Sequence, residues 1–264
     1  MKEYIVIIIL SAVLAAGCTV GLYLFEMLYG SVIPQKLREA PLSKIGDFKK
    51  GAVLYHNDLI CDADVAGWVM EGPGKVSFSQ NALLMESPKE EFHHVFWCPE
   101  DFPGSFIAEW SVQNLNPAAG LLIVFFAAQG LKGEDLFDPA LKPRGGAFPD
   151  LTRGDIKNYH ISYYANGRNE PGRLNANLRK NKGFNFVQQG RAGIPLDSTA
   201  VHQMTLIKSD NQIVLFIDGR EAINWLDTGK TGGKPHGAGK IGFRQMKWSR
   251  FLYSNFTVYE YLPD

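Results

Sequence analysis

The segment GDIKNYHISYY (Gly154 to Tyr164) gathers several side chains that could do chemistry. Read as a strand, it projects Asn158, His160, Ser162 and Tyr164 to one side and Tyr159, Ile161 and Tyr163 to the other. The second set suits a core. The first combines hydrogen-bonding groups, a titratable imidazole and an aromatic ring. Other short stretches extend this inventory. RLNANLRKN sets Asn175, Asn177 and Arg179 against Leu174, Ala176 and Leu178, with Lys180 next in line. FIAEWSVQ offers Glu109 and Gln113 opposite Phe106, Ala108, Trp110 and Val112, and GKIGFRQM offers Arg244. In HHVFWCP, His93, Val95 and Trp97 alternate with His94, Phe96 and Cys98; both sets carry apolar residues, so the groove-facing one stays open.

Collected on one surface, these groups would suit a sugar acid. Arginine holds a carboxylate through two parallel hydrogen bonds. Amides match hydroxyl pairs, and a Trp or Tyr ring gives an apolar platform for a pyranose face. The substrate-binding candidates are therefore His93, Trp97, Gln113, Asn158, Ser162, Asn177, Lys180 and Arg244, and the catalytic ones are Glu109, His160, Tyr164 and Arg179. Glycoside hydrolysis normally needs two carboxyl groups at a set separation. FIAEWSV supplies only Glu109, with Ser111 two residues on. β-Elimination needs a base and a group that neutralises the uronate carboxylate, which His160, Tyr164 and Arg179 could provide, so a lyase fits better than a hydrolase. Plainer readings stand beside these. His160 and Glu109 could be solvated strand residues, Arg179 could join Lys180 and Lys182 in a basic rim, and Trp97 could be core like Trp110.

Metal and cofactor chemistry has weaker support. Glu134, Asp135, Asp138, Asp150 and Asp155 crowd one segment, and calcium commonly stabilises such loops, but they follow no strict ligand spacing. Adjacent His93 and His94 fall on opposite strand faces, which is poor for zinc. No nucleotide loop, nucleophile elbow or hydride-cofactor fingerprint occurs. We expect no cofactor, with Ca²⁺ as the minor alternative.

The elements that must position these residues are strands. FIAEWSVQ alternates cleanly, and GLLIVFFAAQ (Gly120 to Gln129) reads as a strand buried on both faces. HQMTLIKSDNQIVLFIDGR reads as two strands around Ser209-Asp210-Asn211, with Asp218-Gly219 opening the next turn. GKIGFRQM and YSNFTVYEY add two more. A long Gly-, Pro- and Asp-rich segment, Leu131 to Asp155, precedes the His160 strand; loops of that length in compact domains are often functional. Helical periodicity is absent outside the N-terminus.

Composition agrees. The 264 residues are 45% hydrophobic, enough for a sizeable core, and 27 Lys+Arg balance 27 Asp+Glu, so no basic excess points to nucleic acid. Tyr4 to Phe25 carries no charge and as a helix would be about 33 Å long, enough to cross a bilayer core. VLAAGC resembles a bacterial lipobox with Cys18 as the lipidation site; an uncleaved signal anchor is the alternative. Either way the chain is expected to be exported and attached to the membrane by its N-terminus, facing the periplasm or cell surface. The expected organisation is a leader at 1–25, a connector at 26–50 and one domain at 51–264. Cys61 and Cys98 could pair in an oxidising compartment or remain free thiols.

The ending VLFIDGREAINWLDTGK…GAGKIGFRQM…YSNFTVYEY resembles the closing strands of concanavalin A-like lectin/glucanase jelly rolls. FHHVFWCPEDFP, GEDLFDP, GDIKNYHISYY, NLRKNKGF and GKIGFRQM resemble, in order, the YesU-like family of uncharacterised bacterial proteins over approximately residues 52–260. The resemblance implies an all-β, two-sheet antiparallel jelly-roll sandwich, here behind an N-terminal membrane-directed helix, and a setting in plant or algal polysaccharide use. It implies no reaction, and the compact E-x-D-x-x-E signature of jelly-roll glucanases is missing. The resulting expectation is an exported binder of an acidic, pectin-type or algal polysaccharide or its oligosaccharides. A lyase or hydrolase acting on that glycan, and a non-catalytic envelope scaffold binding a protein, are the alternatives.

Overall fold

A computed structural model describes residues 43–167 and 171–263. The leader, the lipidation candidate Cys18 and most of the connector lie outside the described residues. The fold begins before Gly51. A 3-10 turn at Ile45–Asp47 leads into strand β1 (Lys49–Asn57), and Ile45 and Phe48 pack on the buried cluster Ile107, Ile207, Val214 and Phe216. β1 carries mostly exposed residues, so the alternation that marks a half-buried strand is missing from its sequence.

The remaining strands are β2 (Val69–Glu71), β3 (Lys75–Ser79), β4 (Ala82–Glu86), β5 (His94–Trp97), β6 (Phe106–Asn114) and β7 (Gly120–Gly130). A short helix α1 (Phe148–Thr152) precedes β8 (Ile156–Asn166), β9 (Asn175–Asn181) and β10 (Asn185–Ala192). Then follow β11 (Val201–Ser209), β12 (Gln212–Ile217), β13 (Arg220–Leu226), β14 (Lys240–Met246) and β15 (Arg250–Leu262). They form two antiparallel sheets. The first runs β13-β12-β11-β6-β15-β4-β3, with β1 also on β15; the second runs β10-β9-β8-β7-β14-β5-β2. The all-β sandwich matches the expected class.

The core lies between the sheets. Ala108, Trp110 and Val112 of β6 meet Leu122, Val124 and Phe126 of β7, together with Ile161, Phe243 and Tyr253. The Trp110 ring lies 5.4 Å from that of Phe243 and 6.3 Å from that of Tyr163, within the range of favourable aromatic contacts. β7 is apolar on both faces because its second face is covered too. Residues 131–155 fold back over the outside of the second sheet, and Leu136 and Leu151 bury against Val95, Trp97, Ile123, Phe125 and Ile156. Each such buried side chain contributes about 1.5–3 kcal/mol. Ion pairs hold the segment down, Arg144 to Glu71 at 2.7 Å and Asp135 to Lys240 at 3.0 Å.

The acidic residues of this segment do not converge. Glu134 accepts from Lys132 N, Asp135 from Phe137 N, Asp138 from Ala140 N and Asp155 from Lys142 N. Asp150 accepts from Gly145 N at 3.4 Å. Among the described residues no group of three metal-ligating side chains could hold an ion. Glu134, Asp135 and Asp138 each cap an N–H two residues away, and Asp155 ties Lys142 to the start of β8. Cys61 is exposed, Cys98 is buried, and neither is in a disulfide. Burial pushes the Cys98 thiol up to about 12.

Candidate functional site: an arginine-rich face on the second sheet

β8 and β9 lie side by side, and their register places three polar pairs in a row: Asn158 opposite Asn181, His160 opposite Arg179, and Ser162 opposite Asn177. Their intervening neighbours Tyr159, Ile161, Ala176 and Leu178 fill the core, so these pairs point outward. Arg244 of β14 sits opposite Ile123 and points the same way, its guanidinium carbon 4.6 Å from the Phe148 ring centre of α1. Arg173, just before β9, donates to the Ser162 hydroxyl and to the Asn175 carbonyl. Arg179 lies between two rings, 4.2 Å from the centre of Phe184 and 4.8 Å from that of Phe186. The strip is thus partly roofed: Asn158, His160, Asn181 and Arg244 are buried, while Arg173, Asn177 and Arg179, edged by phenylalanines, remain partly exposed.

The charges are uncompensated. No carboxylate among the described residues lies within 4.0 Å of Arg173, Arg179 or Arg244. Arg244 is fully buried and donates only to the Gly146 carbonyl and the Met246 sulfur, while its Nε has no acceptor. Burial lowers its pKa to about 9. Burial also lowers Arg179, whose Nε likewise lacks an acceptor. Arg173 is lowered by burial and then by the charge of Arg179. Taking an ion out of water without a partner costs several kcal/mol, so these guanidinium groups carry a desolvation cost that no carboxylate of the described residues offsets.

His160 occupies the centre of this field, its ring 5.0 Å from Phe125, 5.5 Å from Phe148 and 5.9 Å from Phe184. Burial, then the charges of Arg179 and Arg244, hold its pKa well below the usual value, so it is neutral. The hydrogen-bond network assigns the tautomer. Asn158 Nδ2 donates to Leu151 O at 2.8 Å, which turns its Oδ1 toward Asn181. Asn181 Nδ2 donates to that oxygen at 2.7 Å and reaches His160 Nδ1 at 2.8 Å. Nδ1 therefore accepts, and the proton sits on Nε2. His160 is a neutral N–H donor here, poorly suited to act as a base.

The expected catalytic quartet does not assemble. Tyr164 points into the core. Ile123 pairs with Ser162 but Leu122 pairs with Tyr164, so a β-bulge at Tyr163 shifts the alternation by one residue. Its ring packs 5.4 Å from that of Phe251, and its hydroxyl donates to Pro117 O and Leu196 O. Glu109 and Gln113 lie on β6, in the other sheet. Glu109 pairs with Lys50 at 2.7 Å, and Gln113 Nε2 donates to Thr199 O at 2.8 Å. Lys180 faces inward, 2.7 Å from Asp227 with both groups fully buried. Trp97 does face outward, but the 131–155 segment buries it, so it offers no platform. His93 is half-buried at the entrance to β5, its pKa lowered by burial and by Arg244.

Four contributors escaped the sequence reading: Arg173, Asn181, Phe184 and Phe186. The signal was the pair of phenylalanines two apart in NKGFNF, directly after Arg179. In the β9–β10 hairpin this spacing puts both rings beside the guanidinium.

Comparison with known proteins fits this architecture. The model of a family described as a domain of unknown function, DUF1961, matches residues 52–258. The uncharacterized protein YesU of Bacillus subtilis (strain 168) is 39% identical over 216 residues, spanning 81% of this chain and 98% of that protein. A crystal structure of a protein of unknown function with galectin-like fold from Bacillus subtilis superposes with a TM-score of 0.77 at 38% identity, covering 82% of this chain and 100% of that one. The transglycosylase Crh5 in complex with NAG shares the fold at a TM-score of 0.52 and 10% identity, covering 84% and 87% of the two chains. By sequence and by fold, the chain belongs to the DUF1961 family, a YesU-like group built on a galectin-like β-sandwich.

Proposed function

We propose that the outer face of the second sheet binds an acidic saccharide, with Arg179 holding its carboxylate or sulfate and the buried charge of Arg244 adding to the positive field behind it. Arg173, Ser162 and Asn177 meet neighbouring hydroxyls, and half-exposed Phe186 lies against a sugar face. The observation that carries this is the set of guanidinium groups without a carboxylate partner beside a neutral N–H donor. A neutral glycan would leave those charges uncompensated, whereas an anionic one completes them. The galectin-like fold named for the Bacillus subtilis structure is in keeping with a saccharide ligand. Binding is favoured over elimination because His160 has its acceptor nitrogen engaged and Tyr164 is turned away. Attachment to the outside of the cell through the N-terminal apolar segment belongs to the same proposal, since a polymeric glycan is met there.

Calorimetric titration with galacturonate oligosaccharides and with neutral galactose oligosaccharides of equal length tests the reading. The acidic series should bind, weaken as salt rises, and lose about 10- to 100-fold in affinity in Arg179→Ala. Equal affinity for the neutral series, or no loss in that variant, would overturn it.

A further inference from the structure

Away from the arginine face, at the rim where the chain passes from the second sheet to the first, three side chains line up. Ser198 Oγ lies 2.7 Å from His202 Nε2, and His202 Nδ1 lies 2.7 Å from Asp218 Oδ2. Each residue comes from a different element: Ser198 from the loop between β10 and β11, His202 from β11, and Asp218 from the Asp218-Gly219 turn between β12 and β13. That turn needs positive φ at both positions, 51° and 74°, which Asp and Gly tolerate. The orienting carboxylate is held rigidly. Its Oδ1 accepts Gln203 N–H at 2.9 Å, and its own N–H donates to Gln203 O at 2.8 Å. With Oδ2 accepting from Nδ1–H, Nε2 is left as the acceptor for the serine hydroxyl.

We propose that Ser198, His202 and Asp218 form a serine-hydrolase centre for short-chain esters. Its roles follow the geometry of nucleophile, base and orienting group. Ser198 Oγ attacks the ester carbonyl carbon while its proton passes to His202 Nε2. Collapse of the tetrahedral intermediate breaks the bond to the alcohol oxygen, which takes that proton and leaves. Water, deprotonated by His202, then hydrolyses the acyl-serine, releasing the acid and restoring the enzyme. No other reactant is required.

The developing oxyanion has donors at hand. The Thr199 N–H, immediately after the nucleophile, has no acceptor among the described residues. Gln113 reaches the same loop, spending one N–H on Thr199 O at 2.8 Å and keeping a second. The loop is fixed by Ser198 N–H on Pro195 O and by the Tyr164 hydroxyl on Leu196 O. A cleft of about 100 Å³ lined by Ser111, Gln113, Val201 and Ser254 among others opens on the outer face of the same sheet, across β11 from the His202 ring, so the ester must reach Ser198 from the rim itself. An O-acetyl ester on a saccharide is the carrier assigned to it; this assignment rests on the proposed function, whereas the hydrolytic centre does not.

The full-length protein should be treated with a fluorophosphonate and mapped by mass spectrometry. One adduct is expected, on Ser198, absent from Ser198→Ala and from His202→Ala, and p-nitrophenyl acetate turnover should fall at least about 100-fold in Ser198→Ala. Asp218→Asn should slow labelling by a similar factor with the melting temperature of each variant recorded alongside. The labelling needs no variant, so misfolding cannot hide the answer. An unlabelled Ser198 in folded wild-type protein, or undiminished turnover in folded Ser198→Ala, would overturn the centre. If Ser198 labels and p-nitrophenyl acetate is cleaved but partially O-acetylated galacturonate oligosaccharides release no acetate, the carrier assignment falls and the centre stands.

Discussion

Arg179 and Lys180 are neighbours on one strand and live in opposite electrostatic worlds. Lys180 points into the core, where Asp227 Oδ2 lies 2.7 Å away and the Tyr159 hydroxyl donates to the same oxygen at 2.5 Å. Its ammonium also reaches the Gly233 carbonyl. Arg179 points outward with two rings and no carboxylate. Both are strand residues of a basic run, and nothing in their side-chain chemistry forces the difference. The pleat decides which one is built into the core and which one is left without a counter-charge. A buried cation with its counter-charge is structure; one without it keeps its desolvation cost unrelieved within the fold.

The largest effect should come from breaking the paired side. Asp227→Ala leaves Lys180 charged and buried and removes the acceptor of Tyr159, so it should cost about 3–5 kcal/mol in urea denaturation. The double variant Lys180→Met with Asp227→Leu should recover much of that loss, because two apolar groups need no partner. A double variant as unstable as the single would show that the network does more than neutralise charge.

Acid should strain both faces of β9 together. His160 on the outer face and His236 on the inner face are both held by Asn181, one by its side-chain amide and the other by its carbonyl, 2.6 Å from His236 Nε2. Burial pulls His160 well below 6.5, His236 to about 4 and His94 to about 3. Each binds fewer protons folded than unfolded. Their contribution is therefore fully present above the unfolded value near 6.5 and declines as pH falls below it, by about 1.4 kcal/mol per pH unit for each residue. The melting temperature should drop between pH 7 and pH 5. A flat profile would mean that these imidazoles are charged in the folded protein.

The unpaired side should respond in the opposite sense. Arg244→Met removes a buried charge that has no counter-ion and keeps an apolar stem against Phe148, so stability should rise by about 1 kcal/mol. If Arg244→Met destabilises the protein as Asp227→Ala does, the distinction between paired and unpaired cations collapses.

The strands that alternate cleanly were readable from sequence, and so was the face shared by His160, Asn177 and Arg179, because side-chain period alone orders them. β1 was not readable, being an edge strand with few buried residues. Lys180 was misread because its charge outweighed its parity. Neither the Arg179–Phe184 contact nor the Ser198–His202–Asp218 alignment could be read, since each depends on how a turn brings distant residues into register. Trp97 failed for a third reason: its parity was right, but a segment far along the chain covers it.

Tyr164 isolates the smallest effect. Strict alternation would put its hydroxyl beside His160 and Ser162, yet the bulge at Tyr163 sends it inward onto two carbonyls, at 3.2 Å and 3.0 Å. Tyr164→Phe deletes only those bonds. Stability should fall by about 1 kcal/mol, the ordinary net worth of such a hydrogen bond, and saccharide affinity should not change. Arg179→Ala, in contrast, should weaken binding and leave the fold intact. The two residues lie on adjoining strands, so a loss of binding in Tyr164→Phe would mean that the bulge relaxes in solution and that the tyrosine swings out to the arginine face after all.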